Sequence, residues 1–175
     1  MHSARLSFIG GGNLTRSIVW GLVDSGYPAS LINIADRNAD KCEKLRSDFG
    51  VGASPDVKEV VDFAEILTLS IKPQSFGDFA RGYASVVKEK SPLVLSVMAG
   101  VNIPTLATSF GLDIPIVRAM PNTASQVKAG ATGLYANDHV SSQQKDQVEE
   151  IFRNLGVVAW VDKEIDMNAV IAIAA

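Results

Sequence analysis

The chain has 175 residues, 47% of them hydrophobic and 20% charged, and carries a net charge of −3. That is enough apolar material for one sizeable core, or for one domain and the start of another, while an acidic balance argues against a nucleic-acid or membrane-surface role, which needs a basic face. The single cysteine, Cys42, excludes an internal disulfide; with no apolar run of membrane-spanning length and no signal-peptide core, the expected location is the cytoplasm.

Taken in order, Arg5-Leu6-Ser7-Phe8-Ile9 is short, apolar and β-rich, and Leu14, Ile18, Val19 and Leu22 then recur at helical spacing. Between them stands Gly10-Gly11-Gly12-Asn13. Leu31 to Ala35 reads as a second strand, closed by Asp36-Arg37-Asn38. Asn38 is placed to cap a helix running to Phe49, and Gly50 ends it. A short strand at Val51 to Ala53 follows, then a helix from about Pro55 to Phe63 with the proline in its first turn. Ala64 to Ile71 is a buried-strand run stopped by Lys72-Pro73-Gln74, and a helix from about Ser75 to Lys88 comes next. Leu93 to Val97 is a strand ending in Met98-Ala99-Gly100; Ile103 to Phe110 is helical; Ile114 to Met120 is a strand ending in Pro121-Asn122-Thr123. Thr132 to Ala136 is a further strand. Ser141-Ser142-Gln143-Gln144 resembles a capping box opening a helix with Val148, Ile151, Phe152 and Leu155 on one face. Gly156 stops it before a last strand at Val157 to Val161.

Strands alternating with helices predict an α/β fold of Rossmann type, doubly wound around a mostly parallel sheet. In such a sheet ligands bind along the carboxyl edge of the strands, and five punctuated strand ends fall there. Gly10 and Gly12 fill the first two places of the Gly-x-Gly-x-x-Gly/Ala dinucleotide fingerprint, where backbone amides approach a pyrophosphate at a helix N-terminus. Thr15 holds the third place and is expected to crowd the helix against the strand. Asp36 stands where a carboxylate accepts hydrogen bonds from an adenosine ribose and repels a 2′-phosphate, whereas Arg37 beside it pairs well with phosphate. The choice between NADP(H) and NAD(H) stays open. Asn13 caps the first helix or reaches toward the cofactor; Lys72 meets phosphate or ribose or is a surface lysine. His2 and His139 are isolated, no residues have metal-ligand spacing, and Trp20 and Trp160 read as packing residues. No catalytic residue is singled out, and no metal is expected.

With these stretches laid out, the chain resembles the N-terminal domain of the pyrroline-5-carboxylate reductase family from Phe8 to about Ala172. The carriers are Phe8-Ile9-Gly10-Gly11-Gly12-Asn13-Leu14, Asp36-Arg37-Asn38, Ile71-Lys72-Pro73-Gln74, Ser96-Val97-Met98-Ala99-Gly100, Arg118-Ala119-Met120-Pro121-Asn122-Thr123 and Gly133-Leu134-Tyr135-Ala136-Asn137. The Lys-Pro-Gln and Met-Pro-Asn-Thr stretches are far more specific than the glycine loop. The resemblance implies that NADPH or NADH binds at these strand ends, with Gly10, Gly11, Gly12, Asn13 and Leu14 on the pyrophosphate and Asp36, Arg37 and Asn38 facing the adenosine. It further implies Ile71, Lys72, Pro73, Met98, Ala99 and Gly100 along the route to the nicotinamide, and Met120 and Asn122 near the reacting ring. The implied substrate is a cyclic imino acid, reduced to L-proline.

Departures from the family pattern are Thr15 for Ala, Ala124 for Pro, Asn168 for Asp and Ile171 for Thr. The resemblance therefore implies residues 1–162 as the dinucleotide-binding domain and 163–175 as the start of an inter-domain helix. The helical dimerisation domain expected after it is absent from this sequence. Met167, Val170, Ile171 and Ala174 form an apolar stripe on which the sequence stops, the expectation for a chain cut within a longer protein. A homodimer or larger is expected of the full-length protein, and this chain alone is expected to be monomeric or to associate through that helix. Two other readings stand beside this one: a related reductase with a different substrate, and a non-catalytic nucleotide-binding module.

Overall fold

The computed structural model describes residues 3–122, 130–167 and 169. Its elements are β1 (Leu6–Ile9), α1 (Asn13–Asp24), β2 (Ile32–Ala35), α2 (Ala39–Phe49), β3 (Gly52–Ser54), α3 (Val57–Phe63), β4 (Ile66–Leu69), α4 (Phe76–Lys90), β5 (Leu93–Ser96), α5 (Ile103–Phe110), β6 (Ile116–Pro121), β7 (Gly130–Ala136), α6 (Ser142–Arg153) and β8 (Gly156–Trp160). Short 3-10 turns occupy Ala29–Leu31, Pro73–Ser75 and Glu164–Asp166.

The strands form one sheet in the order β3-β2-β1-β4-β5-β6-β7-β8. β1 to β6 run parallel. β7 is antiparallel to β6, and β8 is parallel to β7. The expected α/β architecture is therefore present, with a reversed pair at one end.

Alternation along each strand explains the two layers of helix. Leu6 and Phe8, Ile32 and Ile34, Leu93 and Leu95 face one core, where they meet Ile18 and Leu22 of α1, Leu45 of α2 and Phe152 of α6. Ile9, Leu67, Leu69 and Val94 face the other core, against Val60 and Val61 of α3, Phe76 and Phe79 of α4 and Leu106 and Phe110 of α5. Strands covered on both faces read as continuous apolar runs, and all four residues of β1, β4 and β5 are buried. Each fully buried aliphatic or aromatic side chain contributes about 1.5–3 kcal/mol by its removal from water.

The helix ends follow local chemistry. The Asn38 side chain accepts from the Lys41 amide at the start of α2, and Gly50 closes that helix at φ 69°. Ser141 and Gln144 make the full capping box of α6. Pro55 does not enter α3: Asp56 caps the helix by accepting from the Glu59 amide, so the helix begins at Val57, two residues later than the proline suggests. Trp20 is 43% exposed and so is only partly covered by its neighbours. Trp160 is half-buried; its indole N–H donates to Glu149, and the Lys145 ammonium lies 5.3 Å from its ring centre. No helix among the described residues is long and apolar enough to cross a membrane. His2, Thr123, Ala124, Asn168 and the stripe residues Val170, Ile171 and Ala174 lie outside the described residues.

Candidate functional site

Because β1, β2, β4, β5 and β6 point the same way, the segments after them emerge on one edge of the sheet. Gly10–Gly12, Asp36–Asn38, Ile71–Pro73, Met98–Gly100 and Pro121–Asn122 are those segments. The ladder continues into them: the Gly10 amide donates to Ala35, that of Ser70 to Ile9, that of Asp36 to Ser54, and that of Val97 to Leu69. The chain winds outward from β1 toward β3 and then returns to β4 on the other side of β1. This makes β1/β4 the switch point at which open α/β sheets form a crevice.

The three glycines stand at that point under different constraints. Gly10 has φ 104°, and a Cβ there would lie 2.4 Å from the Ser70 carbonyl oxygen, so glycine is obligatory. A Cβ on Gly11 would lie 2.8 Å from Cδ1 of Leu45. A Cβ on Gly12 would meet nothing within 4 Å. Gly12 is the N-cap of α1, no side chain caps that helix, and no acidic residue occupies its first turn. The helix thus presents an open, electropositive end where a ligand can lie directly on the backbone, the arrangement that suits a pyrophosphate.

Asn13 is the first helical residue and is exposed; it does not cap α1. Leu14 is half-buried and packs on the core. Thr15, expected to crowd the helix, is accommodated by a bond: it is wholly buried and its hydroxyl donates to the Gly10 carbonyl at 2.6 Å.

Asp36 is already engaged by the protein. Its Oδ2 accepts from the Gly11 amide at 3.0 Å and the Lys41 ammonium at 3.1 Å, and its Oδ1 accepts from the Asn38 amide at 3.0 Å. Burial alone pushes this carboxyl up, but the Asn38 and Gly11 amides and Lys41 more than offset it and hold it below the ordinary carboxylate value. Arg37 and Asn38 are exposed, Asn38 with its side chain on the start of α2. Ile71 reaches the glycine loop, with Cγ2 3.3 Å from the position of a Gly10 Cβ. Lys72 and Pro73 are exposed on the next loop, whose turn closes through the Ser75 amide onto the Lys72 carbonyl. Met98 is 3% exposed and packs into the core beside Ile103 and Leu106, so it offers the crevice mainly backbone. Ala99 and Gly100 are exposed. Met120 and Asn122 are half-buried at the end of β6, with the Asn122 amide donating to Ala131.

Sequence reasoning missed a part-buried ion pair behind this edge. Arg118 of β6, 8% exposed, donates to Glu164 Oε1 at 2.7 Å, and the same oxygen accepts from the Ile103 amide at 2.9 Å. Glu164 thereby ties the turn after β8 to the first residue of α5, and so to the Met98–Gly100 segment that leads into α5. Arg118 lies inside a quoted motif, but nothing local marks Glu164. Nor did sequence reasoning single out Lys41, the cation beside Asp36. Its place in the first turn of a helix that starts just after Asp36 was the available signal. Among the described residues, no three His, Cys, Asp or Glu side chains stand together as a metal site.

A family model described as NADP oxidoreductase, coenzyme F420-dependent, matches residues 5–100, from the start of β1 through the segment after β5. The chain belongs to that family. It is also 34% identical over 174 residues to the pyrroline-5-carboxylate reductase of Pseudomonas aeruginosa, a match that covers 99% of this chain and 63% of the relative. The solved structure of a pyrroline-5-carboxylate reductase from Coxiella burnetii matches with a TM-score of 0.94 at 36% identity, over 99% of this chain and 64% of that one. The pyrroline carboxylate reductase of Plasmodium falciparum, solved with NADP bound, matches with a TM-score of 0.84 at 23% identity over 99% of this chain and 63% of that one, and so shares the fold. The resemblance to pyrroline-5-carboxylate reductase expected from the motifs thus extends along almost the whole chain, which spans just under two thirds of the length of the relatives it matches.

Proposed function

We propose that this chain forms the dinucleotide-binding part of a cytoplasmic NAD(P)H-dependent reductase that converts 1-pyrroline-5-carboxylate to L-proline. One observation carries the reading: a match to pyrroline-5-carboxylate reductases over 99% of the chain at a TM-score of 0.94, in which the glycine loop is open toward the crevice. The residues fit the cofactor. Gly10–Leu14 would hold the pyrophosphate through the open end of α1, Arg37 and Asn38 would face the adenosine, and Ile71, Lys72, Pro73, Ala99, Gly100 and the Met98 backbone would line the path of the nicotinamide. Bound there, the reduced nicotinamide supplies a hydride to the imine carbon of the substrate ring.

The protein's own task is positioning. A protonated imine is already electrophilic, so fixing its carbon against the donor and keeping water out supply much of the acceleration. Met120 and Asn122, at the end of β6, stand on the substrate side of this arrangement. Residues 1–162 make the cofactor domain, and 163–175 begin the connection to a further domain that completes the substrate site and the homodimer. The substrate is a small cyclic imino acid, and nucleic acid is no partner.

Titration of the chain with NADPH and NADH, followed by quenching of Trp20 and Trp160 emission, tests the reading. Saturable binding of either dinucleotide is expected, with little or no turnover by this chain alone. Absence of binding overturns it. A version extended to the relatives' length should reduce 1-pyrroline-5-carboxylate in preference to other imines and to keto acids; preference for one of those would favour a related reductase.

A further inference from the structure

The carboxylate at the end of β2 stands where a ribose acceptor is expected, yet every bond the structure gives it is to this chain's own groups. Asp36 is held on Oδ2 by the Gly11 amide and Lys41, and on Oδ1 by the Asn38 amide, with its side chain only 14% exposed. The Gly11 bond joins the loop after β1 to the loop after β2. It also helps explain why Gly11 is a glycine, since a Cβ there would stand 3.2 Å from Asp36 Oδ2 as well as against Leu45. Lys41 brings a positive charge to the carboxylate from the first turn of α2, and its neighbour Arg37 is exposed with no ion pair among the described residues.

We infer that Asp36 is a positioning residue of the glycine loop, its charge taken up by the Gly11 and Asn38 amides and by Lys41, so that this carboxylate neither serves the adenosine ribose nor bars a 2′-phosphate. The inference rests on the dinucleotide reading above. Its physical basis is that two amides and a cation take three of the carboxylate's roughly four acceptor sites and largely cancel its field at the position a 2′-phosphate would take. The loop, in turn, keeps the open end of α1 aimed at the pyrophosphate because the Gly11 amide is anchored from the side.

Two measurements on the 175-residue chain test this. In the first, hydrogen exchange at the Gly11 amide is followed without cofactor. It is expected to quicken about ten-fold or more in Asp36→Ala while core amides such as that of Leu95 keep their protection. Unchanged exchange at Gly11 overturns the inference. In the second, dissociation constants for NADPH and NADH are compared in the wild type, Asp36→Asn and Lys41→Met. For a positioning residue, Asp36→Asn weakens both dinucleotides together and leaves their ratio within about three-fold. Lys41→Met, which leaves the carboxylate uncompensated, weakens NADPH about ten-fold with little effect on NADH. A selective loss of NADH in Asp36→Asn, with a gain for NADPH, would show a ribose acceptor and refute the proposal. Should the wild type bind neither dinucleotide, the functional reading falls, and the exchange measurement still decides the role of Asp36.

Discussion

The two ends of the sheet are held together by different physics. From β3 to β6 the strands are parallel, mostly three or four residues long, and β1, β4 and β5 are buried at every position. Their loops inherit their places from backbone ladders and apolar packing. Beyond β6 the direction reverses and β8 is exposed at Val157 and only half-buried elsewhere, so that side-chain bonds add to the β6–β7–β8 ladders and to the core packing of Leu134, Val148, Ile151 and Phe152. Asn137 accepts from the Ile116 amide and donates to the Ile114 carbonyl, Trp160 donates to Glu149, and Glu164 gathers Arg118 and Ile103. The lesson is that the binding edge is fixed mainly by ladders and packing, whereas the far end adds individual polar contacts to both.

Substitutions can break that contrast. Within the glycine loop, Gly10→Ala forces a left-handed backbone and a clash with Ser70, and is expected to cost at least ~3 kcal/mol in denaturant unfolding. Gly12→Ala, two residues away, should leave stability within ~1 kcal/mol yet abolish dinucleotide binding, because the methyl enters the open space over α1. At the far end, Glu164→Ala strands the buried Arg118 and the Ile103 amide; a loss of about 3 kcal/mol in the same measurement is expected. No loss would mean that apolar packing and the ladders hold the far end without help from this contact.

Two smaller effects sharpen the comparison. Tyr27 is buried and donates its hydroxyl to the Ala4 carbonyl, and burial, with help from Glu150 and Glu65, pushes its pKa up to about 12. A raised folded-state value means that its contribution is complete below the ordinary 10.0 and is lost as pH rises toward 12. Alkaline unfolding should therefore steepen across that window by up to about 2 kcal/mol, and Tyr27→Phe should remove that component. Ser141→Ala deletes half of the capping box of α6 and should lower stability by ~1 kcal/mol in thermal unfolding.

What could be read in advance divides along the same line. Caps and breakers are local, so Asn38, Gly50, Ser141 and the full extent of α5 were legible from neighbouring residues. So were the five strand-end segments, since each combines an apolar run with a turn residue. Strand direction is not written in an apolar run, and the reversed pair was not foreseen. Side-chain commitments between distant segments were equally hidden: Glu164 meets Arg118 46 positions away, and Asp36 meets Gly11 25 positions away. Asn13 misled because a side chain able to cap stood one place inside a helix that Gly12 already opens.

The position of β1 bears on how the chain is made. β1, made before both of its neighbours, is a central strand, flanked by β2 on one side and by β4 on the other, with Leu6 opposite Ile66. At ordinary translation rates, several seconds on the order of 3–12 s separate the two partners. During that interval Leu-Ser-Phe-Ile has one edge without its neighbour, the kind of apolar strand that pairs with other chains when left open. Early closure of β1 against β2 and α1 would shelter its faces but not that edge. The nascent chain therefore carries an open β1 edge until Ile66–Leu69 leave the ribosome, and its yield in cells should respond to chaperone supply in that window.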